Sequence, residues 1–442
     1  MVGFFEDVLW LLVLIGVMIN IHELGHFWAA RYFDVKVEAF SFGFGTRLFG
    51  FRRGETDYRF SLIPFGGYVK MAGEQATDEH LDDPRSFLAK PRWQRLIIAF
   101  AGPFMNMVLA IGVLTGLYMV KFQKIADSDL EAVVGQVMAD SPAAKAGIQA
   151  GDRIVAMDGQ KNPNWDDIGM KEATSAYRPM YLTIERGGQR FDTSVTPSMS
   201  ERLGVGFAGW DERGTIQFGT VEAGLPADKA GLKKGDILVS VDGQPVHSQI
   251  RFNEITKNSN GKALNIEYER DGHRAQVTVQ PEFLKLDGTP RWMIGVMPQR
   301  KFNIVTTRLS FPDALQESLR QNEKGAMLIV QVLKGVVQRR VSPKTLTGPI
   351  GIAQLSGDAA REGPSAFFML MSMVSLNLAI FNLLPIPILD GGVILMLLVE
   401  MTMQRDLSLN VKDAVFKVGF VCIMVIVAFV LYNDIAKILP AG

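Results

Sequence analysis

Apolar residues along this chain are gathered into four long runs. The first covers residues 8–21 and leads directly into a polar cluster, and the others cover 96–120, 366–388 and 414–432. A helix rises about 1.5 Å per residue and hydrocarbon is about 30 Å thick, so the runs predict four membrane-spanning helices. Residues 127–310, between the second and third runs, have a different texture, with short β-prone runs punctuated by Gly and Asp. That pattern predicts a water-exposed part built from small α+β modules. Another stretch, 312–340, reads as helical, with an apolar run at 326–337 that is too short to cross and is flanked by Lys324, Lys334, Arg339 and Arg340. It suits either a helix lying in the membrane interface or a packed linker.

The expected division is a first span at 1–33, a loop at 34–94 and a second span at 95–121. Two modules at 127–208 and 211–300 and interfacial helices at 310–345 follow. A third span at 364–390, a connection at 391–412 and a fourth span at 413–434 complete it. Glu6 and Asp7 stand where a removable signal peptide would be basic, and no small-residue cleavage pattern follows, so the first span is expected to stay in the membrane. The 31–95 connection carries eleven Lys and Arg residues, from Arg31 to Arg95. By the positive-inside rule it faces the cytoplasm, which sends both termini and the modules to the other side.

The first run ends in His22-Glu23-Leu24-Gly25-His26. Helix positions i and i+4 share a face, so both imidazoles can hold one zinc ion, and Glu23 can take a proton from metal-bound water. Three ionisable groups at that depth cost about 2–3 kcal/mol each on insertion scales, which an ordinary surface helix gives no reason for. The third run ends in Asn377-Leu378-Ala379-Ile380-Phe381-Asn382-Leu383-Leu384-Pro385-Ile386-Pro387-Ile388-Leu389-Asp390-Gly391-Gly392. Two prolines and a Gly-Gly pair break a helix there and leave Asp390 near the inner end of the span. If the first and third spans pack together, Asp390 can serve as third zinc ligand beside His22 and His26, with the fourth position open to water.

Residues 142–152 (PAAKAGIQAGD) match 226–236 (PADKAGLKKGD), 84 residues apart, and Asp158-Gly159-Gln160 matches Asp242-Gly243-Gln244 at the same offset. Each triplet follows a short β-prone run, Arg153–Met157 or Ile237–Val241, so one small domain occurs twice. The pattern resembles the PDZ fold in its bacterial, protease-associated form. That resemblance implies docking of extended peptides by strand addition, or else simple bulk that excludes large partners.

Composition adds little. Hydrophobic residues make up 48% and charged residues 21%, as expected for a membrane protein with a large wet part. Lys and Arg balance Asp and Glu, and no basic, aromatic-studded strip suggests nucleic acid. The single cysteine, Cys422, excludes an internal disulfide and is expected to pack within the last span. His80, His247 and His273 have no ligand spacing and suit surface or turn positions.

With HExxH in the first span, NxxPxPxLDGG in a later one and PDZ-like modules between, the chain resembles the site-2 protease family of intramembrane metalloproteases over nearly its whole length. It is similar to that family also in Phe42-Gly43-Phe44-Gly45, in residues 63–70 (IPFGGYVK), in Ala101-Gly102-Pro103 with Asn106, and in residues 346–350 (LTGPI). Val393 departs from many relatives, which carry a basic residue or histidine there, and this bears only on groups around the ligands.

The resemblance implies a polytopic α-helical membrane protein of four transmembrane helices, with a membrane-associated β-hairpin and two periplasmic PDZ domains, in a bacterial inner membrane. It implies zinc on His22, His26 and Asp390, with Glu23 as the base that activates water for attack on a peptide carbonyl. A transmembrane helix must be unwound before it is cut, and residues 59–71, read as a hairpin returning to the membrane, would supply a strand edge through Phe65, Gly66, Gly67 and Tyr68. Asn377 and Asn382 match asparagines used in substrate handling, although interhelical contacts suit them too. Implied substrates are single-span proteins already trimmed outside, an anti-sigma factor and leftover signal peptides among them, with the PDZ pair as a size filter. Two other classes stay open: a PDZ-bearing receptor with a vestigial metal site, and a zinc-dependent membrane chaperone or transporter.

Overall fold

The structure is a computed structural model that describes residues 2–74, 83–126, 131–200, 203–284 and 290–438. Helix α1 (Val2–Tyr32) leads through strands β1 (Val37–Arg53) and β2 (Thr56–Met71) to α2 (Arg92–Val120). Two β-rich modules follow, each with one substantial helix, α3 (Trp165–Thr174) and α4 (Gln249–Lys257). Then come α5 (Phe311–Val337), α6 (Pro349–Glu362), α7 (Pro364–Asn382), α8 (Asp390–Met403) and α9 (Leu409–Ile438). The chain forms two compact units, a helical one built from 2–122, 307–330 and 346–438, and a second built from 123–306 and 331–345.

Four helices of the first unit are long and apolar enough to cross a membrane, over Phe5–Tyr32, Arg92–Val120, Pro364–Asn382 and Asn410–Ala436. Helix α2 packs against α1, α7 and α8, and α1 packs also on α6. The core between α1 and α7 is Leu14, Met18, Phe367, Leu370 and Met371, with Trp10 set edge-on to Phe367 at 5.0 Å. Small residues let the helices approach: a side chain at Gly25 would overlap the main chain at Ala101. Hydroxyls add polar contacts, Ser372 donating to the Ala110 carbonyl and Ser375 to that of Asn106, both at 2.9 Å.

The third apolar run differs from its sequence reading. The helix stops at Asn382, the proline segment turns, and a new apolar helix, α8, starts at Asp390, the last residue of the expected third span, and runs into what reads as a plain connection at 391–412. The turn is tight because Gly391 and Gly392 lie against the main chain of residues 383–387, where a side chain would collide. Helix α9 is fastened near both ends. Lys412 pairs with the buried Glu400 of α8 at 2.7 Å, and the buried Asp434 accepts from the N–H groups of Gly348 (2.9 Å), Ile350 (3.1 Å) and Gly351 (3.1 Å) at the start of α6. Between these points Val418, Phe420, Val421 and Val425 are exposed, as lipid-facing side chains would be. Cys422 is exposed on the same helix, so the packing role expected of it is corrected.

Strands β1 and β2 each double back. Residues 39–42 pair with 67–70 on one side and with 57–60 on the other, and 47–53 pair with 56–61. The result is a four-stranded sheet in the order 47–53, 56–61, 37–42, 67–71. Residues 59–71 are therefore not a hairpin closed on itself: their two arms flank residues 37–42. The reversal inside β1 uses Gly43 (φ 87°) and Gly45 (φ 86°), a left-handed backbone that glycine adopts without cost from a Cβ.

In the second unit the repeat reappears as matched structure. Asp152 binds Arg186 in the first module and Asp236 binds Arg270 in the second, each at 2.6 Å, and each arginine also donates to a glycine carbonyl, Gly147 or Gly231. Strands Arg153–Met157 and Ile237–Val241 lie where expected, each followed by Asp-Gly with positive φ. The cores correspond, with Ile154, Ile168, Met180 and Leu182 in one and Leu238, Phe252, Leu264 and Ile266 in the other. The modules are joined through residues 210–212. Trp210 Nε1 donates to Glu172 at 2.9 Å, Asp211 accepts from Ser248 Oγ (2.8 Å) and the Ile250 N–H (2.9 Å) at the start of α4, and Glu212 pairs with Arg300. His247 and His273 belong to no metal-like cluster among the described residues, and His80 lies outside them.

Candidate metal centre

His22 and His26 share one face of α1, and α8 places Asp390 at its first residue opposite them. His22 Nε2 lies 3.2 Å from Asp390 Oδ2, His26 Nε2 lies 3.4 Å from Asp390 Oδ1, and the two Nε2 atoms are 3.2 Å apart. Among the described residues these three form the one group whose donor atoms gather closely enough to hold a metal ion. The spacing suits zinc: a tetrahedral ion with bonds of about 2.0–2.1 Å sets its ligand atoms about 3.3 Å apart. Donor chemistry agrees, with two imidazole nitrogens and one carboxylate leaving a fourth position open.

The ring of His26 is oriented for this. Its Nδ1 lies 2.8 Å from the Ile98 carbonyl of α2, which can only accept, so Nδ1 carries the proton and Nε2 presents a lone pair. His22 Nδ1 faces the side chain of Asn106 at 3.4 Å. Both rings are buried, at 7% and 8% exposure.

The triad and Glu23 line a cavity of about 370 Å³ whose walls include Tyr68, Val69, Met71, Asn382 and Val393. Glu23 accepts from the Val69 N–H, and Gly67 sits close to its side chain, where a Cβ would lie 3.4 Å from Glu23 Cγ. The edge strand of the β-sheet, residues 67–71, therefore runs beside the base and the metal triad.

Of the residues expected to handle substrate, Gly67, Tyr68 and Asn382 reach this place. Asn377 is half-buried farther back on α7 and is not in the cavity wall, nor is Gly66, which packs against the Phe44 ring; the side chain of Phe65 lies outside the described part. Four polar wall residues were missed by sequence reading: Glu74, Arg95, Glu400 and Lys412. A signal for one of them existed, since Glu400 is the one acid inside the apolar stretch 393–403.

A model of Peptidase family M50 matches residues 10–426. The chain belongs to peptidase family M50. Among similar proteins is the regulator of sigma-E protease RseP of Escherichia coli, 32% identical over 461 residues that span 99% of this chain and 100% of that one. RseP of Salmonella typhimurium is 32% identical over 97% of this chain and 98% of its own. A putative zinc metalloprotease of Xylella fastidiosa is 31% identical over 98% and 99%. A solved PDZ domain of an SdrC-like protein from Listeria monocytogenes matches 20% of the chain and 90% of itself at 24% identity, with a TM-score of 0.17, too low to establish the fold. As an M50 member with four membrane-length apolar helices, the chain is a membrane-embedded zinc metalloprotease.

Proposed function

We propose that this chain is an intramembrane endopeptidase that cuts unwound transmembrane segments of single-span proteins. The observation that carries the reading is the triangle of His22, His26 and Asp390 at tetrahedral ligand spacing, with Glu23 beside it in a cavity that a strand edge borders. In this reading the three residues hold zinc, which when bound supplies Lewis acidity toward water and a peptide carbonyl.

The chain's own residues do the rest. Glu23 removes a proton from the attacking water and delivers it to the leaving nitrogen. The edge formed by residues 67–71 pairs with the substrate main chain, holding it extended and satisfying amides that unwinding has freed. The Asn382 side chain offers a donor and an acceptor to that segment. Tyr68 closes one wall.

The RseP name of the relatives, with their regulation of sigma-E, supports an anti-sigma factor as one substrate here, and the same chemistry would accept spent signal peptides. The basic 31–95 connection supports a cytoplasmic side for the cavity, in a bacterial inner membrane, with both termini and the paired modules outside. The modules, read as PDZ domains, would hold back substrates whose outer domain is intact.

The test is co-expression of the wild type or Glu23→Gln with a tagged single-span protein that lacks its outer domain. A shorter product with the wild type alone is expected. Equal product from both, or none from either across several transmembrane segments, overturns the reading.

A further inference from the structure

We propose that Asn106 is the positioning residue that sets the imidazole of His22 for metal binding, through a carboxamide able to serve either tautomer of the ring. The inference rests on the reading of His22, His26 and Asp390 as the metal-holding group.

Asn106 lies on α2 one turn beyond Gly102 and is fully buried. Its Nδ2 is 3.4 Å from His22 Nδ1, and among the described residues no other group bonds that nitrogen. The main chain at Asn106 is held in place, because its carbonyl accepts from Ser375 Oγ on α7 at 2.9 Å. The side-chain Oδ1, by contrast, is buried with no hydrogen-bond partner among the described residues. A buried acceptor left without a bond is costly, so its presence in a fully buried side chain calls for a reason.

The two rings of the triad differ in one respect that supplies the reason. His26 faces a carbonyl, which fixes its tautomer permanently. His22 faces an amide, which can donate or accept. With Nδ2 toward the ring, the amide donates to a bare Nδ1, and the proton on Nε2 points at Asp390, 3.2 Å away. Turning the carboxamide by half a rotation about Cβ–Cγ exchanges Oδ1 for Nδ2. Oδ1 then accepts from a protonated Nδ1, and Nε2 offers its lone pair to a metal. No hydrogen bond on Oδ1 opposes that turn. Asn106 thus supports His22 with and without metal, and an acceptor at this position is what metal binding requires.

The test compares the purified full-length protein with Asn106→Leu, which can neither donate nor accept, and Asn106→Asp, which only accepts. Zinc affinity is read by competition with a chromophoric chelator, and ligand geometry by the visible spectrum of the cobalt-loaded protein. Asn106→Leu is expected to weaken zinc about 10–100-fold and to alter the cobalt bands, whereas Asn106→Asp stays within about threefold of the parent. A merely structural asparagine would be harmed by both. Parent-like zinc affinity in Asn106→Leu, or equal weakening in both variants, overturns the proposal. Should Asn106→Leu fail to fold, the aspartate variant decides alone: parent-like affinity supports the proposal and a tenfold loss overturns it. A parent that binds no zinc refutes the metal reading itself, before Asn106 enters.

Discussion

Gly102 faces the imidazole of His26 with no room for a side chain between them: a Cβ there would overlap His26 Nε2 and come within 2.8 Å of His22 Cε1. Two rings of the metal triad are thus seated against the bare main chain of α2. Gly102→Ala should push the rings off their positions or part α1 from α2, with zinc affinity lowered about 10–100-fold and cleavage lost in parallel. Gly112→Ala on the same helix is the control, since nothing lies within 4 Å of a Cβ there. Metal content after equal dialysis of the two variants separates them, and equal retention would show that the close fit does not matter.

Arg95 and Glu400 are nearly inaccessible, with side-chain exposures of 3% and 1%, and face each other at 3.7 Å, while Lys412 and Asp406 bind the same pair. Glu400→Ala leaves the guanidinium buried with only the half-exposed Asp406. It should cost about 3–5 kcal/mol, the usual penalty for stranding a buried charge, and thermal unfolding in detergent would reveal it. Glu400→Gln keeps an acceptor for the Leu407 N–H and should cost less.

Asp434 answers three N–H groups at the start of α6 that have no acceptor within their own helix. Asp434→Ala should destabilise that helix start by about 1–3 kcal/mol, and hydrogen exchange at Gly348, Ile350 and Gly351 should quicken at least about tenfold. Unchanged exchange there would mean that water takes the place of the carboxylate.

Burial pushes the carboxyl of Asp211 up to about 6, from the usual value of about 3.9. Its pKa in the folded chain lies above that in the unfolded chain, so the folded state holds the extra proton between those values. Stability at the joint between modules should therefore fall as pH rises from about 4 to about 6 and stay level above that. Protection of the first-turn amides of α4, corrected for intrinsic exchange, should follow this course. In Asp211→Asn it should be flat across the same window.

Much of this architecture can be read in the sequence, for identifiable reasons. Apolar runs of membrane length announce four long apolar helices, and the i, i+4 spacing of His22 and His26 dictates their shared face before any packing is known. The modules are legible because evolution wrote them twice, down to Asp152 with Arg186 and Asp236 with Arg270. What stays hidden depends on contacts between distant segments. Pro385 and Pro387 announce a break but give no hint that Asp390 begins another helix, since that relies on Gly391 and Gly392 fitting against residues 383–387. The sheet is hidden likewise, because residues 37–42 find two partners at once. Asn106 looks like one polar residue in an apolar helix until α1 brings His22 to it.

The two fastenings of α9 have a mechanical consequence. Lys412 and Asp434 lie about 33 Å apart along the helix at 1.5 Å per residue, close to the thickness of a bilayer's hydrocarbon layer. Each is tied to a different neighbour, α8 at one end and α6 at the other, while between them most side chains are exposed and Gly419 packs on the main chain of Pro387. A span held this way cannot shorten by sliding, so a thinner or thicker membrane must be met by tilt or by strain on the ties.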